Sequence, residues 1–196
     1  QRHKSAGSVH VSGVAYAAGR SQMQSLRVHV LPELPLTNAC VPNMSVSENI
    51  ALRKFDQPPL KRGGWFVSMR AIRDKAALLI QRFGIKTPSP STPIRNLSGG
   101  NIQRAVLARE LSEPADVLVA ANPCFGLDFA ASADVRAEIV DARNRGAAVL
   151  LISEDLDELM ELADRLCVMF DGAVVHETAP SLTDVAAIGR CMAGQA

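Results

Sequence analysis

The segment spanning residues 97–104 contains the residues best suited to chemistry, because Ser98 is followed directly by Gly99 and Gly100. Serine can cap a helix, and two glycines at the helix start leave backbone N–H groups bare and approachable. The helix dipole adds partial positive charge at that end. Such a helix start can bind an anion, and phosphate is the natural candidate. Many Ser-Gly-Gly helix starts are simple caps, so these residues alone leave both interpretations open.

A second group of charged residues consists of Asp155, Asp157, Glu158 and Glu161, which are close enough in sequence to act as paired carboxylates. Their place at a predicted helix start favours capping and dipole complementarity over acid–base catalysis. The basic residues around positions 58–59 are interpreted as a solvated loop in preference to a phosphate or lipid contact. They are Arg53, Lys54, Lys61 and Arg62.

Cysteine and histidine spacing argues against a metal centre. The chain has four Cys and four His, with no CxxC pair and no ligand spacing. No metal site and no disulfide framework are therefore predicted. Most of the thiols are expected to be buried and reduced, in the cytosol.

Apolar runs and capping signals predict alternating strands and helices. The Ser45–Glu48 spacing is that of a capping box, and Ser68 and Gly84 can bound a helix whose apolar face includes Ile72. Short apolar runs alternating with helical patterns indicate an α/β unit with a largely parallel sheet. The predicted strands are 28–31, 117–121, 148–152, 166–170 and 173–176; the predicted helices begin near 47 and cover 68–83, 98–111, 130–145, 156–163 and 183–189.

Composition places the chain among ordinary globular proteins. It has 196 residues, with 47% hydrophobic and 21% charged, which is enough to bury a core without staples. The net charge is +1, so there is no excess of positive charge for neutralising nucleic-acid phosphates. The apolar runs are too short to span a bilayer, and no signal peptide is visible.

The sequence Leu97-Ser98-Gly99-Gly100-Asn101, with Gln103 and Arg104 after it, resembles the signature motif of ABC-transporter ATPases. The resemblance continues in the family's order over about residues 7–172, and it is closest to the second ATPase cassette of simple-sugar and nucleoside importers. The further matching segments are 31–33 (Q-loop region), 46–50 (entry to the helical subdomain), 108–111, 117–123 (Walker B strand), 126–128 (D-loop), 151–158 (switch strand) and 163–172.

This resemblance implies a P-loop NTPase-like ABC ATPase core, with a largely parallel sheet, helices on both sides and a helical subdomain. No GxxxxGK[ST] motif occurs in the 196 residues. The chain therefore looks like one partial domain, 1–196, without its N-terminal P-loop part; a fragment or a truncated gene would each account for this. Within it, 1–45 holds remaining N-terminal strands and the Q-loop region, 46–113 the helical subdomain with the signature, and 114–196 the C-terminal α/β part.

The resemblance also assigns candidate site residues. Ala121 stands at the Walker B Asp, Asn122 at the catalytic Glu, Glu154 at the switch His and Glu33 at the Q-loop Gln. A neutral amide cannot act as a general base, so no intact catalytic residue and no metal ligand are expected. The candidates for contacting a nucleotide held on a partner's P-loop are Ser98, Gly99, Gly100, Asn101, Gln103 and Asp128.

The implied function is that of an ATP-binding subunit which couples ATP binding and hydrolysis to import of a simple sugar or nucleoside. Its partners would be a second ABC cassette and transmembrane permease subunits, on the inner face of the cell membrane, and not nucleic acid. ATP and Mg²⁺ would serve the assembled complex, with neither held tightly by this chain. Loss of N-terminal strands would expose a sheet edge, so the isolated chain is expected to dimerise or aggregate.

Two other functions compete with this one. The first is a non-catalytic structural or regulatory relic of a cassette that binds no nucleotide by itself. The second is a soluble ABC-type ATPase of DNA maintenance, which the Ala-Ala-Asn-Pro segment and the absence of coiled-coil heptads disfavour.

Overall fold

The computed structural model describes residues 6–62 and 66–195, and the chain forms two compact units, 1–150 and 151–196. The strands are β1 (His10–Val11), β2 (Val14–Ala15), β3 (Val28–Leu31), β4 (Lys61–Arg62), β5 (Phe66–Val67), β6 (Val117–Ala121), β7 (Ala148–Ile152), β8 (Leu166–Phe170) and β9 (Ala173–Thr178). The helices are α1 (Arg20–Ser25), α2 (Pro35–Asn38), α3 (Val46–Ala51), α4 (Met69–Arg82), α5 (Gly99–Leu111), α6 (Phe129–Asn144), α7 (Leu156–Leu162) and α8 (Val185–Met192).

The sheet that positions the candidate site has the strand order β3–β6–β7. Strands β3 and β6 are parallel, with Val28 opposite Val117 and Leu31 opposite Ala120. The three strands coincide with the predicted apolar runs, and the combination of fully and partly buried residues in β3 and β6 fits buried strands. The expectation that β7 is buried as well is wrong, because its residues alternate between exposed and half-buried, with Leu150 and Ile152 both exposed. Because parallel strands end at the same edge, the residues that follow β3 and β6 are brought to one side of the sheet.

Helix α5 is the buried centre of the first unit. It packs on β3, α3 and α6, and its fully buried side chains include Val106, Leu107 and Leu111. A helix covered on nearly all sides cannot shift without disturbing the core, so its N-terminal end is held firmly in place.

The capping box predicted at the start of α3 and both predicted ends of α4 are confirmed. Ser45 and Glu48 form a complete capping box, and α3 begins at Val46, one residue earlier than predicted. Ser68 caps α4 by accepting the Ala71 N–H. The chain leaves α4 through Gly84, whose φ of +59° is easy only for a residue without a side chain.

The first forty residues differ from the strand-rich prediction, because they also contain α1 and α2. Helix α1 has six residues and none of them is buried, so it carries no apolar periodicity to detect. Helix α2 has four residues and starts at Pro35, whose fixed φ suits a first helical position. Neither helix leaves a periodic signal in the sequence.

The second unit is a β8–β9 hairpin with α8 packed on β8. Asp171 and Gly172 form the predicted tight turn, both with positive φ. Helix α8 runs later than the predicted 183–189, because residues 180–182 form a 3₁₀ turn and Asp184 caps the helix by accepting the Ala187 N–H at 2.7 Å.

The expectation of mostly buried thiols is wrong. Only Cys191 is buried, while Cys40 and Cys124 are half-buried and Cys167 is exposed. Cys167 lies between Leu166 and Val168, which both pack in the apolar cluster with α8, so strand alternation turns it outward. Within 6–62 and 66–195, no helix is long and apolar enough to cross a membrane.

Candidate functional site

The N-terminal end of α5 has two backbone donors that no acceptor bonds in the part of the chain that the structure describes. The N–H groups of Asn101 and Ile102 both donate to the Ser98 carbonyl at 3.0 Å. Within the described ranges, no acceptor bonds the N–H of Gly99 or Gly100. Ser98 and Gly99 are also exposed. Open donors at the positive end of a 13-residue helix form an arrangement that suits an anion.

The prediction that Ser98 caps this helix is right in position and wrong in bonding. Ser98 is the N-cap residue, but its side chain accepts no backbone N–H. Its Oγ accepts a hydrogen bond from Asn101 Nδ2 at 2.8 Å instead. The side-chain amide thus takes the place at the hydroxyl that a backbone donor usually occupies.

Three polar side chains tie this end of α5 to its surroundings. Asn101 Oδ1 accepts the N–H of Lys86 at 2.6 Å, in the segment after α4. Gln103 is buried and donates from Nε2 to the carbonyl of Pro123 at 2.9 Å. Arg104 donates from Nη1 to the carbonyl of Gly84 at 3.1 Å and forms an ion pair with Asp134 of α6.

The segments predicted to be the signature and the D-loop approach each other at Gly100. A Cβ on Gly100 would be 3.8 Å from both Leu127 Cδ2 and Ala131 Cβ. Asp128 caps α6, since its Oδ1 accepts the Ala131 N–H at 2.8 Å. Gly100 therefore lies beside Leu127 and Ala131, which flank the predicted D-loop residue Asp128.

The end of β6 carries no acidic side chain at positions 121 and 122, the two positions predicted from the resemblance to hold the Walker B and catalytic residues. Ala121 is half-buried, and Asn122 leaves the strand with φ of +42°, a conformation that asparagine tolerates well. Glu33 is exposed, two residues after β3. Ala121 and Asn122 offer no carboxylate, and the described residues contain no His, Cys, Asp or Glu cluster that could hold a metal ion. The end of β6 therefore does not fit Mg²⁺, whereas the start of α5 fits a phosphate.

Glu154, the predicted switch position, belongs to the second unit. Glu154 lies two residues after β7 and directly before Asp155. Asp155 is the N-cap of α7 and accepts the Glu158 N–H at 3.1 Å. Capping, the interpretation favoured from the sequence, is confirmed for Asp155.

A buried ionic cluster under α5 was missed by sequence reasoning. Glu110 is buried and accepts from Arg53 Nη1 at 2.7 Å and from Arg109 Nε at 2.8 Å. His29 donates from Nδ1 to the carbonyl of Glu110. Burial, followed by the nearby Arg53 charge, lowers the pKa of His29, so the ring is neutral at pH 7. Arg53 is thus a core anchor, and its assignment to a solvated loop is wrong.

Comparison with known proteins decides the family. A model of the ABC transporter family matches residues 1–124. The chain belongs to the ABC transporter family.

The similar curated proteins are ATP-binding proteins of importers. The nucleoside import ATP-binding protein NupA of Lactococcus lactis is 34% identical over 164 residues, covering 84% of this chain and 32% of that protein. The guanosine import ATP-binding protein NupO of Bacillus subtilis is 35% identical, with the same coverage. The arabinose import ATP-binding protein AraG of Chromohalobacter salexigens is 39% identical over 159 residues, covering 79% of this chain and 31% of that protein. The chain spans about a third of the length of these relatives.

Solved structures confirm the predicted fold class. The dimeric post-hydrolysis structure of the ATP-binding cassette MJ0796 bound to ADP and Pi aligns with a TM-score of 0.72 and 18% identity, over 90% of this chain and 74% of that one. A second dimeric MJ0796 structure aligns with a TM-score of 0.65 and 19% identity, over 82% and 66%. The chain thus has the α/β fold of ABC ATPase cassettes, which is of the P-loop NTPase type.

Proposed function

We propose that this ABC cassette is part of the ATP-binding subunit of an importer for simple sugars or nucleosides. Its signature segment would contact the terminal phosphate of ATP bound to a partner cassette. The observation that carries the proposal is the pair of open donors on Gly99 and Gly100, with Gly100 beside Leu127 of the predicted D-loop. The relatives are ATP-binding proteins for import of nucleosides, guanosine or arabinose, and they support the substrate class.

The chain's own nucleotide site is degenerate in this proposal. Asn122 cannot take a proton from water, and Ala121 cannot hold Mg²⁺ through a water molecule. ATP and Mg²⁺ would therefore act in the assembled complex, and this chain alone would bind neither tightly.

The partners in this proposal are a second cassette with an intact P-loop and permease subunits that span the membrane. The cassette would lie in the cytoplasm, peripherally on the inner face of the membrane. This arrangement leaves the hydrolytic groups to the partner and the phosphate-binding helix end to this chain.

The test is ATP-driven uptake by proteoliposomes that contain the native protein with its permease. Labelled ribose, arabinose and guanosine are the substrates. Changing Ser98→Arg places a long side chain at the phosphate position, and we expect uptake to fall about a hundredfold or more. Ser25→Arg is the matched control, because Ser25 is likewise exposed but lies at the end of α1; its uptake is expected to be normal.

Thermal unfolding of both variants separates function from folding. Ser98 makes no backbone cap bond, so Ser98→Arg is expected to unfold at the wild-type temperature. Normal uptake by Ser98→Arg would refute the proposal and leave the non-catalytic relic as the better description.

A further inference from the structure

The orientation of the Asn101 side-chain amide is fixed by a backbone group. The N–H of Lys86 lies 2.6 Å from one terminal atom of this side chain. A backbone N–H can only donate, so the atom facing it must be the amide oxygen. The other terminal atom, 2.8 Å from Ser98 Oγ, is therefore the amide nitrogen.

The amide nitrogen in turn fixes what Ser98 does with its proton. An NH₂ group has no acceptor capacity, so Ser98 Oγ must accept this hydrogen bond. The single hydroxyl proton of Ser98 then cannot be directed at Asn101. Within 6–62 and 66–195 no acceptor bonds this proton, and Ser98 is exposed. The hydroxyl is thus available as a donor at the same helix end where two backbone N–H groups are open.

We infer that Asn101 is a positioning residue, which keeps the Ser98 hydroxyl oriented as a hydrogen-bond donor toward a phosphate. This inference rests on the proposed function, and it assigns Asn101 to act through Ser98 and not by its own contact with the nucleotide. Both polar ends of the amide are already bonded within the chain, which supports that assignment.

The segment that contains Lys86, which orients the Asn101 amide, is itself bonded to the rest of the chain. Arg104, one turn further along α5, donates to the Gly84 carbonyl and pairs with Asp134 of α6. The segment 84–86 is therefore bonded to α5 at two positions, three residues apart on the same helix face. Through this segment, the end of α4 sets the orientation of the Ser98 hydroxyl.

The isosteric change Asn101→Asp tests the inference in the transporter described above. A carboxylate still accepts the Lys86 N–H, so the shape and the anchor remain. Its second oxygen can only accept, which turns the Ser98 proton inward. We expect uptake to fall about tenfold or more, the effect of one hydrogen bond to a charged group. In a Ser98→Ala background no hydroxyl remains to be turned. There, Asn101→Asp is expected to lower uptake by only about twofold, from its charge alone.

Asn96→Asp is the charge control, because Asn96 lies two residues before Ser98, is exposed and has no side-chain bond to it. Its uptake is expected to fall by no more than about twofold. The Asn101→Asp protein is expected to keep its unfolding midpoint within about 2 °C of wild type. A purely structural role would lower the midpoint and would not depend on the Ser98 hydroxyl.

The two ideas fail in different ways. An equal loss from Asn101→Asp with and without the Ser98 hydroxyl, while Ser98→Arg abolishes uptake, would overturn the positioning role and keep the proposed function. Normal uptake by Ser98→Arg would overturn both. A loss that disappears in the Ser98→Ala background supports the positioning role.

Discussion

Helices α3 and α5 both begin after a serine, but they use their N-terminal donors in opposite ways. In α3, Ser45 Oγ accepts the Glu48 N–H at 3.2 Å and Glu48 Oε2 accepts the Ser45 N–H at 2.8 Å. The N–H groups of Val46 and Ser47 donate to loop carbonyls, each at 2.9 Å. In α5, the N–H groups of the first two residues have no acceptor within the described ranges. One helix end is closed by the protein, and the other is open to a ligand.

The loop carbonyls of Pro90 and Thr92 close the first two N–H groups of α3, and the third residue after each serine accounts for the difference in how the serine itself is bonded. The spacing is the same, Ser45 to Glu48 and Ser98 to Asn101. A glutamate accepts hydrogen bonds, so it binds the backbone N–H and completes a capping box. The asparagine has a donor as well, and it gives that donor to the serine hydroxyl. A serine at a helix start therefore stabilises the helix or serves a ligand depending on whether its neighbour accepts or donates.

Ser45→Ala is expected to give the largest effect on stability. The change removes the cap on Glu48 and leaves its carboxylate with one partner fewer, at a cost of about 1–2 kcal/mol in the free energy of unfolding. Denaturant unfolding followed by circular dichroism measures this cost. Ser91→Ala is the control, since Ser91 is exposed in the loop after α4 and is expected to change stability by less than about 0.5 kcal/mol. An equal effect of the two changes would show that the capping box contributes nothing measurable.

The two helix ends also show which hydrogen bonds could be predicted from the sequence. The bonds of the α3 capping box join residues three positions apart, and spacing alone predicted them. At α5 the start of the helix was predictable, but the bonding of Ser98 was not. It depends on Asn101, whose amide is oriented by Lys86, 15 residues earlier. The residues around Ser98 in the sequence do not indicate that Lys86 contacts Asn101.

The same limit applies to Arg53. From its neighbours it was interpreted as part of a solvated loop, yet it pairs with Glu110, 57 residues later. Strands β3, β6 and β7 were predictable because continuous apolar runs are a local signal. Contacts between distant segments, which decide whether a charge is buried, require the folded chain.

At acidic pH, the difference in the free energy of unfolding between wild type and Ser45→Ala is expected to become smaller. The hydrogen bonds from the Ser45 side chain and backbone lower the pKa of Glu48, and partial burial opposes them. Since the folded pKa lies below the ordinary value of 4.5, the unfolded chain binds the proton first as the pH falls. The stabilisation is complete above pH 4.5 and is lost as the pH falls through the folded pKa.

Unfolding measured between neutral and acidic pH tests this expectation. The difference in the free energy of unfolding between wild type and Ser45→Ala is expected to be largest near neutral pH and to decrease below pH 4.5. Ser98→Ala serves as the comparison, because no carboxylate bonds Ser98 within the described ranges. A gap that widens in acid would contradict the role given to Glu48.

Ser98→Ala is expected to have the smallest effect on stability. A capping serine usually contributes about 1 kcal/mol because its hydroxyl satisfies a backbone N–H. The Ser98 side chain satisfies none, and within 6–62 and 66–195 its hydroxyl bonds Asn101 alone, in an exposed hydrogen bond, so the cost is expected to stay below about 0.5 kcal/mol. Denaturant unfolding beside Ser45→Ala gives the comparison under one set of conditions. A cost equal to that of Ser45→Ala would mean that Ser98 closes its helix end in solution, and the open donors of Gly99 and Gly100 would then no longer support a phosphate site.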